Sequence, residues 1–278
     1  MRFSLATWNI GGGILGRSHQ YGVEAQLDYY AGIVRGTRPD ILCLQECHEY
    51  ARFTNQARQL AESLGYSHFI TSRLSASHLA AEAWLSLAVL SNFQITSHSF
   101  RQFPSYDLTS IGPNGHQWEL FDKGYLILTL QIDESRELAV VNGHCYPLHH
   151  FDEQPTSRRF RPMWQMLRRD LQQLARDSLT VVALDLNYPA PEELLGDLLN
   201  PDLFRPSFLG VPTKPSGIQH DFIFYGPGML CVDYHVEPTN SDHSYCFAEL
   251  EIAGIRPARR DRVVIGSPDG VRTDDIRG

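Results

Sequence analysis

Six places along the chain carry side chains that could act together on a substrate: Asn9, Glu46, His144, Asp185 with Asn187, Asp221, and Asp242 with His243. Carboxylates hold divalent cations or take a proton from water, while imidazoles and amides donate hydrogen bonds to an oxyanion. Glu46 closes the run Ile41-Leu42-Cys43-Leu44-Gln45, which is nearly all apolar. A carboxylate ending such a buried segment must meet a cation or a donor. Asp185 and Asn187 are two residues apart, so in an extended segment both point to one side. One acceptor and one donor on that side suit a water and a phosphoryl oxygen. Together these residue types describe hydrolysis with a general base, fixed donors and a divalent ion.

What they share is position. Alternating or continuous apolar residues predict strands over residues 3–10, 40–46, 67–71, 85–91, 95–103, 124–132, 137–142, 179–186, 221–225 and 244–252. Each candidate residue ends, begins or directly adjoins one of them. Strand ends along one rim of a sheet are where a rigid scaffold presents reactive groups. Helical spacing predicts helices over 23–36, 50–64, 157–176 and 191–199, with Gly65 as a C-cap. Residues 104–122 are punctuated by Pro, Gly and Asn and read as a long loop, a length usual for functional loops. Strands outnumber helices, and hairpins mix with crossovers. This pattern fits two packed sheets with helices outside. One domain is expected over 1–255, followed by a loosely packed extension over 256–278.

Composition narrows the class. With 278 residues, 42% hydrophobic and 20% charged, the chain can bury a large core without disulfides. The five cysteines are scattered and do not form a zinc pattern, which suggests free thiols and a cytoplasmic location. No run reaches the ~20 apolar residues of a membrane span, and no signal peptide is visible. The net charge of −8 argues against indiscriminate binding to nucleic acid or membranes. It leaves room for a metal-assisted enzyme acting on a polyanion, because a bound cation inverts the local field. There are only two lysines among the 24 basic residues, Lys123 and Lys214. Genomic base composition is the first explanation of this bias; the second is that a lysine kept where arginine is the rule serves a place that needs a compact point charge.

The ordered series Thr7-Trp8-Asn9, Leu44-Gln45-Glu46, Val141-Asn142-Gly143-His144, Leu184-Asp185-Leu186-Asn187, Gln219-His220-Asp221-Phe222 and Ser241-Asp242-His243 resembles the endonuclease/exonuclease/phosphatase superfamily. The resemblance covers about residues 3–252. It departs from the family at Leu184, where a glycine is usual, and at the carboxylate that often pairs with the histidine at 144, for which Glu82 is the candidate. It implies a four-layer α/β/β/α sandwich of the deoxyribonuclease-I-like type: two mostly antiparallel sheets flanked by helices. It also implies a divalent metal, Mg²⁺ with Mn²⁺ as substitute, on Glu46, with Asn9 beside it and Asp242 completing the metal or water network. Asp185 would align or deprotonate the attacking water. Asn187 and His144 would donate to phosphate oxygens, and His243 would contact the phosphate, oriented by Asp221.

The substrate is less sharply drawn. Lys123-Gly124 resembles a pair found in inositol-phosphate phosphatases and bacterial sphingomyelinases. Arg158 and Arg161 follow His144 closely enough to meet a backbone phosphate, and Trp118, His116, His149, His150 and Phe151 could stack a base or hold an apolar group. A nucleic-acid phosphodiesterase, endo- or exonuclease, is the first expectation. A small-molecule or lipid-headgroup phosphoesterase is the second, and a binding protein without catalysis the third. The oligomeric state stays open.

Overall fold

A computed structural model of the chain describes residues 1–15, 26–50, 55–80, 82–112 and 115–253. The expected extension, 256–278, lies outside them. One six-stranded sheet is built from β1 (Arg2–Asn9), β2 (Ile41–Tyr50), β3 (His68–Ala76), β4 (Ala83–Ser91), β13 (Met229–Glu237) and β14 (Tyr245–Ile252), in the order β13-β14-β1-β2-β4-β3. The second has β5 (Gln94–Gln102), β8 (Gly124–Gln131), β9 (Glu137–His144), β10 (Leu179–Asp185), β11 (Arg205–Pro206) and β12 (Asp221–Tyr225), in the order β11-β12-β10-β9-β8-β5. All ten expected strands are present.

Three apolar clusters give the layers. Between the sheets, Phe3, Leu5, Cys43, Leu87 and Val89 of the first pack against Leu126, Leu128, Val140, Val181 and Ile223 of the second. On the outer face of the first sheet, Trp8, Leu42 and Leu44 cover α1 (Leu27–Thr37) and α2 (Gln56–Leu64) through Tyr30, Val34, Ala57 and Leu60. On the outer face of the second, Val141, Val182, Leu184 and Phe222 meet Met163, Trp164, Leu167 and Leu171 of α3 (Arg161–Asp177), with Leu194 and Leu195 of α4 (Pro191–Leu195) beside them. The result is the α/β/β/α sandwich that the resemblance implied.

Each sheet contains one parallel pair, β1–β2 in the first and β9–β10 in the second, and both are central. Parallel neighbours need a crossover, supplied here by α1 and α3. A crossover also makes both strands end at the same rim. Asn9 and Glu46 therefore emerge together, as do His144 and Asp185.

Several expectations shift. The helix expected from residue 50 begins at Gln56, because β2 runs through Tyr50 and Asn55 caps the helix by accepting from the Arg58 amide. Residues 51–54 and 23–25 lie outside the described set. The helix expected from 157 opens as a 3₁₀ turn, Arg158–Phe160, and the one expected over 191–199 tightens into a 3₁₀ turn at Gly196–Leu198. The loop over 104–122 holds a hairpin of β6 (Thr109–Ile111) and β7 (Gln117–Glu119). Gly65 is the expected C-cap, at φ 77°.

Candidate active site

Register sets the site's first row. In the second sheet Asp185 is paired with His144 on one side and with Asp221 on the other. The loop after β10 then turns back at once: Asn187 adopts φ 51° and its amide donates to Asp185 Oδ1 at 3.0 Å. Asparagine tolerates this left-handed conformation better than most residues. Its side-chain amide donates to the Cys145 carbonyl at 3.0 Å, which fixes its orientation. The Leu184 departure is accommodated in the same row. Gly143 pairs with Leu184, and a Cβ on Gly143 would stand 2.5 Å from the Leu184 side chain, so the glycine leaves the room that this side chain fills.

The first sheet supplies the opposing residues. Glu46 also takes a left-handed conformation, φ 54°, where the β2–β4 register slips between Leu44 and Cys47. Without this bulge, alternation would turn Glu46 toward the helices, since Leu44 and Cys47 both face them. The extra residue lets Gln45 and Glu46 both face the second sheet. Asp242 and His243 come just before β14, where the Trp8 indole and the Thr239 hydroxyl both donate to the His243 carbonyl.

Contacts within each sheet's row and contacts across from one sheet to the other hold these residues together. The Asn9 amide donates to Asp185 Oδ2 at 3.0 Å. His243 Nδ1 donates to Asp221 Oδ2 at 2.9 Å, and its Nε2 lies 3.7 Å from Asp185 Oδ2 and 3.8 Å from Asp242 Oδ2. Lys123 donates to His144 Nδ1 at 3.2 Å, leaving the ring's proton on Nε2, which faces Glu46 Oε1 and Asp185 Oδ2, each at 3.5 Å. Lys123 Nζ lies 3.7 Å from Glu46 Oε1. Lys214 Nζ donates to Asp242 Oδ2 at 2.8 Å. Both lysines of the chain thus stand at this site, each opposite a carboxylate of the first sheet.

Charge follows from these neighbours. Burial pushes the Asp185 carboxyl up to about 6, with the His243 cation pulling the other way. Burial disfavours the His243 imidazolium, but Asp221, Asp185 and Asp242 outweigh it and push the ring up to about 9. Burial would raise Glu46, yet Lys123 and then His144 hold it well below the usual carboxylate range. Burial and the Lys123 ammonium together keep His144 neutral at ordinary pH. At neutral pH the site therefore holds a carboxylate base beside a cationic imidazole, with the neutral His144 ring and the two lysines around them.

Glu46 offers the fit for a divalent metal. It is a hard oxygen donor, ionised at neutral pH, and the Lys123 ammonium and the His144 ring stand 3.7 and 3.5 Å from Oε1 rather than in close hydrogen bonds. The Asn9 amide is held nearby, its oxygen accepting from the Gly11 amide at 3.0 Å. Oxygen ligands of this kind suit Mg²⁺ or Mn²⁺. Ligand atoms of Asp185, Asp221 and His243 also lie within 4.8 Å of one another, a spacing that a metal could bridge. There, however, His243 Nδ1 is already committed to Asp221.

Asn9, Glu46, His144, Asp185, Asn187, Asp221, Asp242 and His243 are therefore brought together, and Lys123 with them. Glu82 is not: it is exposed in the turn before β4, and the partner of His144 Nδ1 is Lys123. Trp118, on the β6–β7 hairpin, touches His150 at 5.3 Å between ring centroids; His150 touches His149 at 4.1 Å, and His149 touches His220 at 5.5 Å. Arg158 and Arg161 are exposed and pair with no described residue. Because α3 runs back between two parallel strands, its first turn lies at the end of the sheet where His144 emerges. Lys214 and His78 were absent from the expected site. His78 acts electrostatically on both Glu46 and His144. For Lys214 the rarity of lysine was the available signal.

A family model described as the endonuclease/exonuclease/phosphatase family matches residues 6–243. The chain belongs to that family. Among solved structures, it is similar to an endonuclease/exonuclease/phosphatase from Beutenbergia cavernae DSM 12333 (TM-score 0.68, 18% identity, 91% of this chain and 72% of that one). Truncated TDP2 from Caenorhabditis elegans aligns with TM-score 0.57 and 18% identity over 90% of this chain and 98% of that one. A mannosyl-6-phosphatase from Bacteroides thetaiotaomicron VPI-5482 aligns with TM-score 0.61 and 15% identity over 90% and 99%. At these identities the likeness is one of fold. No curated protein matches the chain. No helix among the described residues is long and apolar enough to cross a membrane.

Proposed function

We propose that this protein is a divalent-metal-dependent phosphoester hydrolase whose substrate is a nucleic-acid phosphodiester. The observation that carries the chemistry is Asp185, a buried carboxylate with both oxygens oriented by donors and a cationic imidazole 3.7 Å away. In this reading a water oxygen attacks phosphorus, its proton passes to Asp185, and the bond to the leaving oxygen breaks. His144 Nε2–H, Asn187 and His243 Nε2–H donate to phosphoryl oxygens as charge builds on them. Glu46, with Asn9 beside it, would hold the metal, which supplies charge neutralisation at the phosphoryl group. Asp221 keeps His243 protonated and oriented.

Two features support the polymer. Arg158 and Arg161 lie at the site's end of the molecule without partners among the described residues, and the Trp118–His150–His149 run offers ring faces for bases. One observation favours a second reading, a small phosphomonoester: the net charge of −8 repels a long polyanion, and a mannosyl-6-phosphatase shares the fold. The free cysteines suit a reducing, cytoplasmic setting.

The deciding experiment is a hydrolysis screen with Mg²⁺, Mn²⁺ or EDTA. It should contain single- and double-stranded DNA, RNA, inositol phosphates, sugar phosphates, sphingomyelin and bis-p-nitrophenyl phosphate. Metal-dependent cleavage of a nucleic acid is expected. Turnover of a sugar or inositol phosphate alone would move the assignment to the second reading, and no turnover of anything would refute the hydrolase.

A further inference from the structure

The carboxylates that the first sheet directs at the site, Glu46 and Asp242, are not treated alike. Lys123 stands back from Glu46 at 3.7 Å and gives its hydrogen bond to His144 instead. Lys214 closes directly on Asp242 at 2.8 Å. One carboxylate stands apart from its lysine, and the other already carries a cation.

The loop holding Lys214 is built to keep it there. Thr213 is fully buried, and its hydroxyl accepts from the amides of both His220 and Asp221, at 2.9 and 3.1 Å. Its carbonyl accepts from the Ser244 amide at 2.7 Å, tying the loop across to the segment of Asp242 and His243. The Thr213 and Lys214 amides both donate to the Ile218 carbonyl, and Gly217, at φ 82°, closes the turn. The lysine's backbone is thus pinned to the residues on either side of the catalytic row. Its side chain is only 20% exposed, and Asp242 is its one hydrogen-bond acceptor among the described residues. Two N–H donors remain for other groups. Asp185 and Asp221 lie within its electrostatic reach.

Phosphoryl transfer commonly uses two metal ions ~3.5–4 Å apart, one on each side of the reacting phosphorus. From the unequal pairing of Glu46 and Asp242 we infer that Lys214 is a resident cation, occupying at Asp242 the role of a second metal, so that the site works with a single divalent ion on its Glu46 side. This rests on the phosphoesterase reading and specifies how its positive charge is divided. An ammonium suits the role because it is a compact point charge on a flexible stem that the protein supplies itself. In a chain that otherwise uses arginine, that accounts for a lysine here.

The test is the number of Mn²⁺ ions bound per chain, by equilibrium dialysis and by electron paramagnetic resonance, in the full-length protein. Wild type should take one ion. Lys214→Met, which keeps the length and removes the charge, should take two and lose about 10²-fold in kcat, the scale of a lost transition-state charge partner. Lys214→Arg should restore single-ion binding. Lys214→Met combined with Asp242→Asn should also take one ion, which would assign the second to Asp242. Two ions in wild type, or one in Lys214→Met whatever its rate, would overturn the inference. Two ions in wild type overturn it even where a variant fails to fold, and Lys214→Gln is the replacement for a Lys214→Met protein that does not fold. A wild type that binds no Mn²⁺ and hydrolyses nothing would remove the underlying phosphoesterase reading as well. An active wild type with one ion, alongside a Lys214→Met protein with one ion, would remove only the role of Lys214.

Discussion

The two sheets meet along a single seam, and its interior and its rim are made differently. In the interior, contact is apolar except at one place, where the buried Gln45 amide donates to Asn142 Oδ1 at 2.7 Å and Asn142 donates to the carbonyls of Leu44 and Ala88. At the rim, contact is ionic: Asn9–Asp185, Lys123–Glu46, Asp221–His243 and Lys214–Asp242 each join one sheet to the other. Apolar packing tolerates small errors of register, whereas a charged row does not. The interior therefore sets how the sheets pack, and the rim depends on that packing to bring its charges within 4 Å. Substitutions in the interior should be read in stability, and those at the rim in turnover.

The largest effect should come from the rim's base. Asp185→Asn keeps the shape and an oxygen for one of the two donors, Asn9 or the Asn187 amide, but removes the proton acceptor. Steady-state kinetics should show kcat lower by about 10²–10⁴-fold with KM little changed. A kcat within about threefold of wild type, well short of the smallest loss expected for a missing base, would pass the role to His243.

Asn142→Ala is the matching interior change. It removes one of the two acceptors of the Gln45 amide, which keeps Thr7, and the side-chain donor to two buried carbonyls, a loss on the scale of about 1–3 kcal/mol. Urea unfolding should report a drop within or above that range, while kcat of the folded enzyme stays near wild type. A large loss of turnover with unchanged stability would contradict the division between interior and rim.

The rim's pH response is the third expectation. Asp185 must be ionised to accept a proton, so activity should rise as pH passes about 6. His243 must keep its proton to act as a donor, so activity should fall as pH passes about 9. The two limbs belong to the interacting pair rather than to single residues. Asp221→Asn removes the main support of the imidazolium and should shift the alkaline limb of kcat to lower pH. An unmoved limb would separate His243 from that limb.

The site was legible in the sequence to the extent that its residues end strands. Asn9, Glu46, His144, Asp185, Asp221 and His243 each adjoin an apolar run whose period announces it. Lys214 escaped because its position is set by Thr213 bonding across to residues 220, 221 and 244, a contact that spacing does not reveal. The partner of His144 was missed for a similar reason: Gly124 and His144 are cross-strand neighbours, and this brings Lys123 rather than Glu82 to the ring. Strand β13 was not anticipated because it is an edge strand whose outward positions Leu230, Val232 and Tyr234 are apolar like its inward Met229 and Cys231, so polarity does not alternate along it. The β6–β7 hairpin was hidden because three-residue strands are too short to show a period.

The smallest effect should lie outside the seam. Arg158→Ala and Arg161→Ala should leave hydrolysis of bis-p-nitrophenyl phosphate unchanged. Each should weaken binding of single-stranded DNA and reduce the salt slope by about one. An unchanged slope would favour the small phosphoester as substrate.

The most direct test of the rim's division of labour compares Mn²⁺ binding in Glu46→Gln and Asp242→Asn. Glu46 is the carboxylate whose lysine stands back, so Glu46→Gln should weaken binding by at least about 10-fold, the scale of disturbed metal coordination, and raise the Mg²⁺ concentration needed for half activity. Asp242→Asn should bind Mn²⁺ nearly as wild type does, because Lys214 already satisfies that carboxylate. The opposite pattern, with Asp242→Asn losing the ion and Glu46→Gln keeping it, would contradict the account.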